Sequence, residues 1–203
     1  MATGKGTGFY VSVALLYPAA LGAAIAWLVP AVGLAANGSE QIPLWSLAFA
    51  LWFVLYHAIW FVHIVRLSEG GDFKYGRQRF ASDLIDVVAL FLAFWALGLA
   101  TAPAQGIHFR LVYAAAALVP VSAMIDHRVG TSLKRPLVTL SMVPPAIGFM
   151  LSRDSGTVTS VDLGCVMTLY VLLIVYVIAP RLFGSELRRK RADVSRRVRG
   201  RRA

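Results

Sequence analysis

Residues 79–98 read RFASDLIDVVALFLAFWALG. From Val87 onward the stretch is almost wholly apolar, with the composition of a bilayer span. Two carboxylates, Asp83 and Asp86, stand at its entrance. A spacing of three places both on one helix face. Asp83 lies near the helix start, where negative charge suits the dipole and Ser82 is a suitable cap. Asp86 lies between Ile85 and Val87, about 9 Å along the axis from Phe80, and has no such local explanation. The stretch therefore predicts a membrane helix with ionisable groups inside it. Groups of that kind mark ion paths or proton relays by default.

The rest of the chain agrees with a bilayer as solvent. Of its 203 residues 58% are hydrophobic and only 15% charged, with a mean hydropathy of +0.68. A single soluble core of this size has no room for so much apolar side chain. Six segments approach the roughly 20 apolar residues needed to cross about 30 Å of hydrocarbon. They are 9–35, 44–67, 80–101, 109–125, 137–152 and 161–183. The expected fold is an all-α integral membrane protein, a six-transmembrane-helix bundle over 1–183 with a basic tail over 184–203. No internal repeat supports an inverted-repeat architecture. The segment after Met1–Gly8 is too long for a signal-peptide h-region and has no cleavage-site pattern, so it is expected to remain as a span.

Charge sets the orientation. With the N-terminus in the cytoplasm, every Lys and Arg lies inside except Arg110 and Arg153. That is the asymmetry of the positive-inside rule, and it places both termini in the cytoplasm, as in a bacterial inner-membrane protein. The tail carries Arg188, Arg189, Lys190, Arg191, Arg196 and Arg197. It is expected to lie on anionic lipid headgroups, each basic residue contributing about 1 kcal/mol near the surface. Its arginines are not interleaved with aromatic side chains, which argues against nucleic acid.

Prolines predict kinked helices: Pro18 and Pro30 in the first span, Pro120 in the fourth, and Pro144-Pro145 in the fifth. Each removes a backbone donor and frees a carbonyl that must be satisfied by protein or water. The adjacent pair Pro144 and Pro145 predicts a break near mid-membrane, a candidate gate. Small residues from Ala19 to Ala24 and from Ala114 to Ala117 predict close helix approach. Trp45, Tyr56, Trp52 and Trp60 suit interfacial or packing positions in the second span.

The cytoplasmic half gathers the candidate site. Asp83 and Asp86 open span three; His63 and Arg66, on one face, close span two; Asp126 and His127 end span four. These six residues form either an ion or proton site, in which a histidine beside a carboxylate titrates near neutral pH, or a helix-pairing contact of Arg66 with an aspartate. His57 is about 120° around the helix from His63, so the two do not chelate. No HxxxH or HxxE spacing is present, and neither a metal nor another cofactor is expected. The single cysteine, Cys165, excludes a disulfide framework and is expected to be a buried thiol.

The stretch HIVRL…SDLIDVVALF resembles the second and third helices of voltage-sensor domains in placing an Arg before and an Asp after the hairpin. Val62 and His63 stand where that family has a carboxylate, and span four lacks an Arg at every third position. EGGDFK at 69–74 resembles the GxGD element of membrane aspartyl peptidases, but Glu69 replaces the first glycine. No P-loop, nucleophile elbow or phosphatidyltransferase signature occurs. The residues assign the chain to no family. Three functions remain open: a small transporter or channel acting as a homo-oligomer, a non-catalytic subunit or assembly factor bound to membrane partner proteins, and a membrane enzyme acting on lipid.

Overall fold

A computed structural model describes residues 7–38, 43–69, 75–100, 107–125, 134–152 and 158–178. Asp126, His127 and the whole basic tail, from Arg188 to Arg197 and beyond, lie outside these. The described residues are all-helical, with no strand. Seven elements run in chain order: α1 (Thr7–Ala36), α2 (Leu44–Ser68), α3 (Arg77–Ala96), α4 (Phe109–Ile125), α5 (Lys134–Leu140), α6 (Val143–Leu151) and α7 (Ser160–Ile178).

Three of them, α1, α2 and α7, are long and apolar enough to cross a membrane. The other segments fall short for identifiable reasons. Helix α3 has the length but carries Arg77, Arg79, Asp83 and Asp86. Helix α4 has 17 residues, and the fifth segment is divided in two. The third segment was expected to run to Thr101 and its helix stops at Ala96. Gly98 takes φ 71° there, and its N–H donates to the Trp95 carbonyl at 2.9 Å. A left-handed glycine just past the last turn closes the helix by satisfying carbonyls that would otherwise be orphaned.

The prolines act at two places. Residues Tyr10–Leu16 of α1 are π-helical, and the Tyr17 N–H donates to Ser12 O, five residues back. Pro18 follows directly. It cannot donate to the carbonyl four residues earlier and crowds it, and a wide turn ahead of the ring relieves both problems. The second place is the turn at 141–142, which separates α5 from α6. Pro144 and Pro145 occupy the first turn of α6, where a missing N–H costs nothing because those donors have no intrahelical acceptor.

The core is aromatic and alanine-rich. Among the interfaces of α1 to α6 the largest is α3 on α4, where Ala89, Ala93, Ala115 and Ala116 are fully buried. Small side chains allow the two backbones to approach closely. Trp45, Phe49, Trp52, Phe53 and Trp60 bury one face of α2, so the tryptophans of this helix pack inward. Helix α7 joins α2 through two hydrogen bonds, Tyr170 Oη to Ala48 O at 2.7 Å and Trp52 Nε1 to Leu169 O at 3.2 Å. Cys165 is buried, its Sγ 3.3 Å from Pro144 O.

Candidate functional site

Helix α3 turns Arg79, Ser82, Asp83, Asp86, Leu90 and Ala93 inward, a face that recurs every three to four residues and is widened by the adjacent Ser82 and Asp83. Asp83 and Asp86 are each only 1% exposed. Carboxylates are rarely buried so fully unless partnered, and here the partners come from three other segments.

Helix α1 supplies two hydroxyls through its π-helical stretch. Ser12 Oγ donates to Asp83 Oδ2 at 2.7 Å, and Tyr17 Oη donates to Asp86 Oδ2 at 3.0 Å. The wide turn is what allows residues five apart to serve carboxylates on successive turns of α3. Ser122 of α4 donates to the other Asp86 oxygen, Oδ1. Ser82 Oγ ties the same two helices by donating to Ser122 O at 2.7 Å. Tyr75, just ahead of α3, donates to Asp83 Oδ2. Its own burial and the adjacent Asp83 carboxylate raise the phenol well above its ordinary pKa, so it remains a donor. Asp83 Oδ1 is buried without a close hydrogen bond among the described residues, and the Trp60 indole N–H, buried and equally short of a close partner, acts on the same carboxylate. A buried acceptor left open in this way asks for a proton, a water or an ion.

His57 of α2 is completely buried and clamped between two carbonyl oxygens. Its Nδ1 is 2.7 Å from Phe53 O and its Nε2 is 2.8 Å from Asp86 O. Carbonyls only accept, so a neutral imidazole can donate to one of them and an imidazolium to both. The ring thus touches the same turn of α3 that carries the acidic pair.

Of the six residues singled out from sequence, the structure brings Asp83 and Asp86 together. His63 and Arg66 line a separate groove of about 510 Å³ between α2 and α7, and Arg66 is exposed. Among the described residues, no hydrogen bond or ion pair joins Arg66 to either aspartate. The contacts that α1 and α4 make with the two carboxylates are therefore hydroxyls, and the expected Arg66 contact is not among the described ones. The nearer basic side chain is Arg79, buried one turn before Asp83 and acting on it electrostatically. Ser12, Tyr17, His57, Tyr75, Arg79 and Ser122 were not anticipated as site residues. Isolated hydroxyls in apolar runs carry no spacing signal, and His57 was weighed only against His63. Among the described residues, no group of three or more His, Cys, Asp or Glu is placed to hold a metal.

Substituting Ser122→Ala is expected to leave Asp86 Oδ1 without a donor and to lower stability by about 1–3 kcal/mol. Thermal unfolding in detergent, read against the exposed-site control Thr168→Ala, measures this.

A second buried acid lies at the start of α7. Asp162 is 2% exposed. Its Oδ2 accepts from the Thr159 N–H at 2.8 Å, while Thr159 Oγ1 lies 3.4 Å from the Asp162 N. This reciprocal pattern is a capping box, and the sequence Thr159-x-x-Asp162 is its signature. Tyr113 Oη donates to Asp162 Oδ1 at 2.6 Å, so the cap also holds α4. Between this acid and the Asp83/Asp86 pair stands an aromatic column. Tyr113 meets Phe49 edge-on at 5.7 Å, Phe49 stacks on Phe53 at 5.8 Å, and Phe53 stacks on His57 at 6.2 Å. Phe49 and Phe53 are fully buried, so the column separates the two polar clusters with a dry layer. No protein-family model, curated protein or solved structure matches the chain.

Proposed function

We propose that this chain is a six-span membrane protein that carries protons, alone or with a small solute, through the Asp83/Asp86 site. The membrane part of this reading is supported by an inside-out distribution of polarity. Asp83, Asp86, His57, Ser12, Ser82 and Ser122 are buried, whereas Leu15, Val29, Leu44, Met150 and Met167 are each more than 60% exposed. An apolar exterior of that kind suits lipid and is a liability in water. The positive-inside asymmetry then puts the acidic pair in the cytoplasmic half and the basic tail on anionic headgroups.

One observation carries the transport part: Asp86 is buried at 1% exposure and, among the described residues, its carboxylate is met by the Tyr17 and Ser122 hydroxyls and by no cation. A structural carboxylate at such depth is normally held by a cation, because an unpaired buried charge is costly. Hydroxyls both donate and accept. They serve an ionised carboxylate as donors and rotate to accept from a protonated one, so the site holds either state without rebuilding. Asp83, beside Tyr75 near the start of α3, is the outer station in this reading, and its Oδ1 receives the proton. Asp86 lies one turn deeper, and His57 marks the inner limit. The dry aromatic layer beyond His57 opposes a continuous wire, which favours a transporter that changes conformation over an open channel. The turn at 141–142, just ahead of Pro144-Pro145, supplies a hinge between α5 and α6.

The test is proton flux into liposomes holding the purified chain, followed with an enclosed pH dye under an imposed pH gradient and membrane potential. Flux above that of protein-free liposomes supports the reading. Flux equal to theirs sinks it and leaves the role of a membrane subunit, with any co-purifying protein as the lead.

A further inference from the structure

Helices α2 and α7 run in the same direction if the chain crosses the membrane six times. They are joined near the start of α2 and the middle of α7 by the Tyr170–Ala48 and Trp52–Leu169 hydrogen bonds. Beyond those contacts they part, and a groove of about 510 Å³ opens between them. Its walls are Leu55, Ile59 and Val62 on α2 with Leu173 and Val177 on α7, and Arg66 stands at the far end. From Leu55 to Arg66 the groove extends about 17 Å along α2. That is close to the half-thickness of a bilayer's hydrocarbon, about 15 Å.

We propose that this groove is a binding site for one anionic phospholipid of the cytoplasmic leaflet. One acyl chain lies along the apolar walls, and the phosphate meets the Arg66 guanidinium. Two features favour this occupant. The single-leaflet length and the cationic end match an anionic amphiphile read from its headgroup inward. The chain's own C-terminal sequence is strongly basic from Arg181 onward, a charge that does not match a cationic groove end. Trp60 and Tyr56 close the inner wall. Tyr56 also borders a smaller void near Pro120, Leu137 and Ser141, so a seated chain lies next to the α5–α6 turn. This inference rests on the membrane reading and is independent of the proton site.

The test reconstitutes the full chain in bilayers of equal dioleoyl phosphatidylglycerol and dioleoyl phosphatidylcholine. The protein is extracted in mild detergent, and retained lipid is counted by native mass spectrometry. One phosphatidylglycerol is expected per chain, preferred over phosphatidylcholine by about fivefold or more. Arg66→Gln is expected to remove the preference and Arg66→Lys to keep most of it. Ile59→Trp, which fills the groove, is expected to remove the lipid itself while the far-ultraviolet circular dichroism stays unchanged. Equal retention of both lipids overturns the proposal. So does a preference that survives both Arg66→Gln and Ile59→Trp, which would assign it to the tail. Asp86→Asn is expected to retain the lipid even where it stops flux, so the two sites fail separately.

Discussion

Asp86→Asn is expected to reduce proton flux by about 10²-fold or more, the contribution typical of a positioned proton-transfer group. The amide is nearly the same size as the carboxyl. Its oxygen still accepts from Ser122 or from Tyr17, the two donors on the native side chain. Its NH2 group can donate to the remaining hydroxyl once that hydroxyl rotates to accept. The four-segment junction is therefore expected to stay assembled, with unfolding temperature changed little. What the amide cannot do is bind and release a proton in the physiological range. The comparison that decides the matter is flux per folded molecule, with monodispersity on gel filtration as the folding control. Flux retained in Asp86→Asn would make Asp86 a helix-pairing residue and move the transport site elsewhere. Asp86→Leu is expected to fail differently. It removes both acceptors, strands the Tyr17 hydroxyl in the core and lowers stability as well as flux.

Gly148→Ala is expected to be the most damaging glycine-to-alanine change among the described residues. A Cβ at Gly148 falls far inside van der Waals contact with Cδ1, Cε1 and Cζ of Tyr113. The ring has no room to retreat. Its hydroxyl is held by Asp162 at 2.6 Å, its edge packs on Phe49 at 5.7 Å, and Trp45 stands 6.4 Å away. Helix α6 must then move off α4 and pull Pro144 away from Cys165. Overpacking of this kind costs about 1–3 kcal/mol. The expected result is a clear fall in thermal stability in detergent, with Gly148→Leu failing to yield monodisperse protein. Gly22→Ala is the matched control, because nothing lies within 4 Å of a Cβ there. Equal melting of the two variants would show that α6 does not pack on Tyr113 in this way.

These two positions show how differently the chain advertises its parts. The apolar run after Asp86 and the asymmetry of Lys and Arg are bulk properties. They depend on composition and order, survive any small change in packing, and make an all-helical chain with membrane-length segments legible from sequence. So are the local backbone rules: Pro144-Pro145 implied an interruption, and the helix indeed breaks at 141–142. The Thr159-x-x-Asp162 cap obeys an equally local rule.

The site was legible only in its acidic half. Asp83 and Asp86 stand out because charge in an apolar run is costly wherever the run ends up. Their partners do not stand out, because a serine or tyrosine in such a run is unremarkable until a neighbouring helix gives it an acceptor. Ser12 is 71 residues from Asp83, and Ser122 is 36 from Asp86. Those pairings depend on the rotation of α1 and α4 about their axes, which the π-helical turn before Pro18 and the close alanine packing of α3 on α4 decide. His57 stands against α3 where Arg66 was expected, for the same reason. Nine residues separate them on α2, which is two and a half turns and about half a revolution. The face of α2 that met α3 was set by the aromatic row of Phe49 and Phe53, not by charge. Sequence alone determined an apolar helical chain with acid at the mouth of one helix. Tertiary structure alone decided that hydroxyls from other segments meet that acid, with His57 against the Asp86 backbone and Arg79 instead of Arg66 as the nearby cation, because which face a helix buries is settled by packing across helices and not by the order of residues along one.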